Sequence, residues 1–286
     1  MIVFGGGFVG GTIVASSGCK VSSIRREACD LTCQDAVIAL ASGFPTDTRW
    51  VIAAAVNPDR GVPHLDGMTA NIAIARNLAA LAAHVRPSHV TFLSSIDVYG
   101  REDAVLPIDE DTQLRPCSYY AISKITSELV LARACRELDI PLAILRLPGV
   151  YGPGDTHSGP VSAFTRAALN NAPVTVSGTG EQQRDLLYVA DLPPLIATLS
   201  EERIAGAFNA VTGKAISLNR ILEVIQAAAK KNLDISYTGT TGECDLVFSP
   251  SRIHDVIPDF AFTPMEVGIR ATWDALVAAK ASSYSK

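Results

Sequence analysis

Short apolar runs alternate along this chain with longer stretches whose apolar residues recur at helical spacing. That alternation predicts strand and helix units wound into a parallel sheet. Ile2 to Phe4 reads as a minimal strand running into glycines, followed by a short helix that ends near Gly18. Lys20 to Ile24 reads as the second strand, and a helix covers roughly Gln34 to Ala41. Trp50 to Val56 is apolar throughout, as a strand buried on both faces should be, and its end carries the small residues Ala53, Ala54 and Ala55, which leave room for a flat ligand. A long helix over about Leu65 to Val85, a strand at Val90 to Leu93, a helix running to about Leu138 and a buried strand at Pro141 to Leu147 continue the series. The acidic, proline-bearing stretch up to Pro116 reads as a surface loop that partly covers a site. Beyond Leu147 the alternation turns irregular. Helices are expected near Val161 to Asn170, Asp191 to Leu199, Leu218 to Lys230 and Met265 to Ala281, with short strands around Val174 and Leu187. The fold class is therefore α/β.

Composition narrows the function. In 286 residues, 48% hydrophobic positions supply ample core, while a net charge of -5 with scattered Lys and Arg argues against a nucleic-acid surface or an anionic membrane as partner. A small molecule is the expected partner. The longest apolar runs fall well short of the roughly 20 residues a membrane helix needs, and the first residues lack the basic head of a signal peptide, so a cytoplasmic location is expected. Six cysteines without a C-x-x-C pair read as reduced thiols, and five histidines show no metal spacing, with His84 and His89 read as structural.

Three clusters carry candidate chemistry. Gly5, Gly7 and Gly10, with Phe8 and Val9 between the last two, form a G-x-G-x-x-G turn between a strand and a helix. Glycines there let the backbone approach a pyrophosphate, whose charge the helix amino terminus favours. This predicts a Rossmann doubly wound sheet. At the end of the second strand stand Arg25 and Arg26, where an acid would bind the ribose hydroxyls of NAD. Guanidinium groups suit a 2'-phosphate, which favours NADP(H) over NAD(H); the competing interpretation is a solvated surface pair. The third cluster is Tyr120 and Lys124, four residues apart on a predicted helix, so both reach one ligand. An ammonium beside a phenol favours the phenolate and draws it toward the working range of a proton-transfer catalyst. Chance alone gives about 0.17 such pairs in a chain of this composition, so the neighbours must decide. The strand before it delivers Ser94, Ser95, Ile96 and Asp97 at its end, where doubly wound sheets bind ligands.

Taken together with the pair Asp30-Leu31, Asn71, the segments SSIDVYG from Ser94 and RLPGVYGPG from Arg146, and the run from Arg184 to Asp191, these motifs resemble the extended short-chain dehydrogenase/reductase family of NAD(P)-dependent epimerases, dehydratases and reductases. The resemblance covers nearly the whole chain. It implies a cofactor domain over 1–147 and a smaller substrate lobe over 148–286, from which roughly 185–212 returns to the first. It implies Tyr120 as general acid/base, Lys124 as the group that binds the nicotinamide ribose and tunes Tyr120, and Ser95 as the donor to the reacting oxygen. Asp30 and Leu31 would border the adenine, Ala53 to Ala55 and Asn71 the phosphates and ribose, and Pro148 the nicotinamide. Asp97, Gly149 and Arg184 would face the substrate, Arg184 gripping a diphosphate, unless it pairs with Glu181 or Asp185. The chain departs from the family at Phe4, where the first glycine usually stands, at Gly149, where many members have asparagine, and in TGECDLVF from Thr241, which lacks the late arginine. Ile96 and Asp97 replace the Asp and Glu of the 4,6-dehydratases, which disfavours dehydration. The first expectation is an NADPH-dependent reductase of a nucleotide-linked keto-sugar, aided by the stretch IRREACDLT from Ile24. The alternatives are a nucleotide-sugar 4-epimerase holding NAD tightly and a non-catalytic NADP-binding protein, which the intact Ser95, Tyr120 and Lys124 disfavour. The family resemblance also implies a homodimer through the two long helices.

Overall fold

The three residues Ile2 to Phe4 hold as a strand because both their edges are paired. The computed structural model describes residues 1–16, 21–45, 47–57, 64–100, 105–156, 159–239 and 244–283. In chain order its elements are β1 (Ile2–Phe4), α1 (Phe8–Ser16), β2 (Ser22–Ile24), α2 (Gln34–Ala39), β3 (Arg49–Ile52), α3 (His64–Val85), β4 (His89–Ser95), α4 (Tyr119–Glu137), β5 (Leu142–Leu147), β6 (Gly149–Tyr151), α5 (Pro160–Asn170), β7 (Val174–Val176), β8 (Gln183–Arg184), β9 (Leu186–Tyr188), α6 (Leu192–Glu201), β10 (Gly206–Asn209), β11 (Ile216–Ser217), α7 (Leu218–Ala229), β12 (Ile235–Tyr237), α8 (Ser251–Val256) and α9 (Met265–Ser283). The main sheet is parallel with order β10-β5-β4-β3-β1-β2. The strand order reverses between β1 and β3, so the chain leaves these two strands in opposite directions and opens a crevice at their carboxyl ends. The sheet is the doubly wound Rossmann architecture that the glycine turn predicts.

Both faces of the sheet are covered. On one, α3 and α4 pack together and bury Ile74, Leu78, Leu81 and Leu131, while Phe4 and Trp50 meet edge-on at 5.0 Å. On the other, Leu192, Leu195, Ile196 and Leu199 place an i, i+3, i+4, i+7 stripe of α6 against Ile13 of α1 and Leu145 of β5. Each such side chain, fully buried, contributes about 2 kcal/mol before entropy is counted. A second core lies between α5, α7 and α9, where Leu218, Ile221, Leu222 and Ile225 of α7 meet Phe164 and Trp273.

Several boundaries differ from the sequence expectation, each for a tertiary reason. The strand expected over Trp50 to Val56 ends at Ile52, because Val56 is hydrogen-bonded by a side chain: its N–H donates to Asn71 Oδ1 at 2.7 Å, and its carbonyl accepts from Asn71 Nδ2 at 3.2 Å. The helix expected to reach Ala41 ends at Ala39 and tightens into a 3₁₀ turn over Leu40–Gly43. β2 begins at Ser22; the expected strand start at Lys20 and helix end at Gly18 lie outside the described residues. The acidic stretch before Pro116 is anchored rather than lying wholly on the surface. Ile108 is buried and bridges to Phe248, and the Glu110 carboxylate accepts from Asn209 N–H at 2.6 Å. Those partners come from some 100 residues or more downstream, beyond the reach of local pattern.

Among the described residues no helix is long and apolar enough to cross a membrane, and Cys29, Cys33, Cys117, Cys135 and Cys244 are free thiols. His89, the first residue of β4, is fully buried, and its Nε2–H donates to the Ile204 carbonyl at 2.9 Å. Burial holds this imidazole below its ordinary 6.5, against the Ile204 hydrogen bond that favours the charged form. An unfolded chain therefore binds a proton here that the folded chain resists, so the contribution to stability is fully present above pH 6.5 and is lost as pH falls through the depressed folded value. Urea unfolding at about pH 7.5 and about pH 5.5 should show wild type losing stability toward acid, and His89→Gln losing distinctly less. Equal acid sensitivity in the two proteins would mean that another group titrates.

Candidate active site

The crevice at the sheet's switch point is built from backbone. Gly5 leaves β1 with φ +116°, and a Cβ there would lie 2.7 Å from Ala54 N, so only glycine lets the turn pass this close to the end of β3. Gly10 is buried in the first turn of α1 against the Gly5 carbonyl, and Gly7 accepts from Gly11 N–H at 2.7 Å. Val9 packs into the core while Gly6 and Gly7 stay exposed, so the turn presents backbone to the crevice and the positive end of α1 opens beside it. Phe8, which begins α1, and Ala53, Ala54 and Ala55 on the facing strand end are half-buried, forming a shallow wall.

Of the two arginines, Arg25 lies against the turn. A Cβ at Gly6 would stand 2.6 Å from Arg25 Cγ, and the guanidinium Nε donates to Ser23 Oγ at 3.3 Å. Arg26 is exposed and acts on Asp30, whose carboxyl lies below its ordinary value because Thr32 donates to it through both N–H and O–H, with Arg26 adding a smaller pull. Leu31 is buried, and its carbonyl accepts from Asn77 Nδ2 at 3.0 Å.

The second half of the site sits where α4 meets β4. Ser118 caps α4, accepting from Ala121 N–H at 3.1 Å, so Tyr120 lies in a fixed first turn. Lys124 follows one turn later, 5% exposed, with Nζ donating to the Leu93 carbonyl at 2.7 Å and standing 5.6 Å from the centre of the Tyr120 ring and 5.0 Å from that of Phe92. Burial draws the amine down to about 8, against the Glu128 carboxylate, which holds it up. Two residues past Leu93 comes Ser95, whose hydroxyl oxygen accepts from Asp97 N–H at 3.2 Å while its own proton can be donated. Ser95, Tyr120 and Lys124 are thus gathered by one strand end and one helix.

Asn71 binds the two halves together. Besides holding Val56, its Nδ2 donates to Ser123 Oγ on α4 at 3.1 Å. A cleft beside Tyr120 is lined by Asn71, Asn57, His64 and Met68, and the last three carried no signal in the sequence because their approach depends on the β3–α3 connection. Pro148 is buried at the end of β5, and Gly149 opens β6 at the surface. Arg184 lies on β8, its Nη1 donating to the carbonyls of Gln183 at 2.8 Å and Cys244 at 2.9 Å. The Asp185 carboxylate is engaged elsewhere, by Thr212 and Gly213. Sequence reading also passed over Glu128 and Arg146, a bidentate ion pair behind Lys124, although a glutamate one turn after the lysine and an arginine in an apolar strand were visible signals.

Among known proteins, the sequence profile described as the NAD dependent epimerase/dehydratase family matches residues 1–210. The chain is 29% identical over 178 residues to the dTDP-4-dehydro-6-deoxyglucose reductase of Escherichia coli, a stretch covering 60% of this chain and 54% of that protein. It spans about half the length of the curated relatives it matches. Its fold is similar to that of the UDP-glucose 4-epimerase of Thermus thermophilus solved with NAD (TM-score 0.84, 23% identity, 97% of this chain and 99% of that one). It is equally similar to RMD from Pseudomonas aeruginosa complexed with NADPH (TM-score 0.85, 21% identity, 97% and 99%). A match that runs from the first strand through the last strand of the sheet, over a switch point shaped by the glycine turn, means that this chain belongs to the NAD dependent epimerase/dehydratase family.

Proposed function

We propose that this protein is an NADPH-dependent reductase of a nucleotide-linked keto-sugar. The observation that carries the choice of cofactor is the placement of Arg25 across Gly6, which sets a cation at the turn where a 2'-phosphate would be recognised. The residues present fit a dinucleotide: the turn is too tight for side chains at Gly5 and Gly10, and the crevice is walled by alanines. Asp30 and Leu31 would border the adenine, Ala53 to Ala55 the phosphates, and Pro148 the nicotinamide; Asn71 would act by holding the strand end in place. When bound, the cofactor supplies the hydride.

The chain's own groups handle the proton. Ser95 donates its O–H to the carbonyl oxygen of the sugar and fixes it against Tyr120. Tyr120 gives the phenolic proton to that oxygen as an alcohol forms, so negative charge never develops unshared. Lys124, charged and seated under the ring, favours the phenolate left behind. Asp97, Gly149 and Arg184 would face the rest of the substrate, with Arg184 directed at a diphosphate. A 4-epimerase with tightly held NAD uses the same three groups, and what favours it is that both arginines already have local company, Arg25 at Ser23 and Arg26 near Asp30.

A homodimer through α3 and α4 belongs to the same proposal. These helices pack on each other yet leave Leu65, Tyr119, Ile122 and Leu129 exposed, Leu129 by 66%.

Titration of purified protein with NADPH and NADH, followed by nicotinamide fluorescence, should give an empty starting site and tighter binding of NADPH, with Arg25→Ala losing about tenfold for NADPH and little for NADH. Copurified NAD, or a preference for NADH, would transfer the assignment to the epimerase. With a keto-sugar nucleotide that wild type reduces, Tyr120→Phe should lower kcat by about 10² or more; full activity in that variant would remove Tyr120 from the mechanism. Light scattering at micromolar concentration should give a dimer mass for wild type and a monomer for Leu129→Glu, and a monomeric wild type would discard the interface.

A further inference from the structure

Behind Lys124 a set of charged and polar side chains runs through the interior. Glu128, one helical turn further along α4, is 5% exposed; its Oε1 accepts from Ser94 O–H and from Arg146 Nε–H at 3.2 Å, and its Oε2 from Arg146 Nη2–H at 2.8 Å. Arg146, on β5 and 6% exposed, also donates Nη1–H to the Tyr99 hydroxyl at 2.8 Å, which in turn donates to Asn209 Oδ1 at 2.7 Å. Replacing a buried ion pair by well-packed apolar side chains of the same volume is often neutral or stabilising, so its presence calls for another account.

The charges supply one. Lys124 is an ammonium out of water that donates to the Leu93 carbonyl, and desolvation by itself favours losing the proton. Around it, the Tyr120 ring centre lies 5.6 Å from Nζ, Glu128 stands one turn on along α4 and holds Arg146 of β5 with Tyr99 beyond, and on α3 the neutral Asn71 donates to the adjacent Ser123. Glu128 is the anion whose charge acts on Lys124. Its two oxygens are held by Ser94 and Arg146, so the carboxylate cannot swing away from the space behind Lys124.

We propose that Glu128 is a positioning residue that keeps Lys124 charged beneath Tyr120, and that Ser94 and Arg146 hold its carboxylate in place for that purpose. The inference rests on Tyr120 and Lys124 being the proton-transfer pair. It separates from a purely structural role because the electrostatic part needs a negative charge at this position, whereas anchoring α4 to the sheet needs the two-armed geometry.

Lysine-selective ¹⁵N labelling tests it without substrate or cofactor. The chain has seven lysines, and Lys124→Met identifies the signal of interest. In wild type the Lys124 Nζ resonance should titrate near about 8. Glu128→Gln should move that midpoint down by about one pH unit, a tenfold loss of proton affinity, and Glu128→Asp, which keeps the charge and shortens the arm, should stay close to wild type. If Glu128→Gln does not fold, the near-isosteric Glu128→Met takes its place with Arg146 retained, and the midpoint should again fall. An unchanged midpoint in a folded Gln or Met protein, or equal displacement in the Asp and Gln proteins, would overturn the proposal. Failure of the reductase assignment would show instead in the NADPH titration, leaving the lysine signal as it is.

Discussion

Much of this molecule is arranged around an ammonium taken out of water. Lys124 carries its charge to the junction of α4 and β4, where a main-chain carbonyl, two aromatic rings and the field of Glu128 offset the lost hydration. That requires α4 to lie firmly on the sheet. The Ser118 cap, the long α3–α4 contact and the Glu128–Arg146 pair meet the requirement from three directions. The same seating sets Tyr120 at the mouth of the cleft and Ser95 just beyond the strand residue to which the lysine is fastened.

The second constraint is close approach of backbone. Where β1 and β3 run side by side, the Gly5 turn comes so near Ala54 that no side chain fits between them, and the crevice left at the switch point is lined by main chain and methyl groups. Asn71 links this crevice to the face of α4 that carries Tyr120 and Lys124, reaching Val56 on one side and Ser123 on the other. One buried amide thus fixes both the strand end and the face of α4, and a shift in either would be felt at the other.

The remainder of the chain is tied back to the sheet by buried carboxylates at its joints. Asp185 accepts from Thr212 and Gly213, Asp191 accepts from Thr263 N–H at 2.9 Å, and Glu110 accepts from Asn209 N–H. Each satisfies backbone amides of a segment far away in sequence, where an unpaired buried N–H would be costly. Asp185 thus joins the start of β9 to the segment after β10, and Asp191 joins the start of α6 to the segment before α9.

Local pattern carries information wherever a feature depends on near neighbours. The glycine turn, the Tyr120–Lys124 spacing, the serine at the end of β4 and the stripe on α7 were legible because turn sterics, helical periodicity and pleat alternation act over a few residues. The α/β class and doubly wound sheet followed from them. What the sequence by itself determined is therefore the architecture and which side chains stand at the glycine turn, the end of β4 and the first turns of α4. Tertiary structure decided the rest: that the strand after Trp50 stops at Ile52, that Ile108 and Glu110 go inside, that Arg25 rather than Arg26 lies on the turn, and that Glu128 stands behind Lys124. Each of these depends on burial and on a hydrogen-bond or charge partner on another element, and the energy of a charge or an amide is set by whatever surrounds it in space.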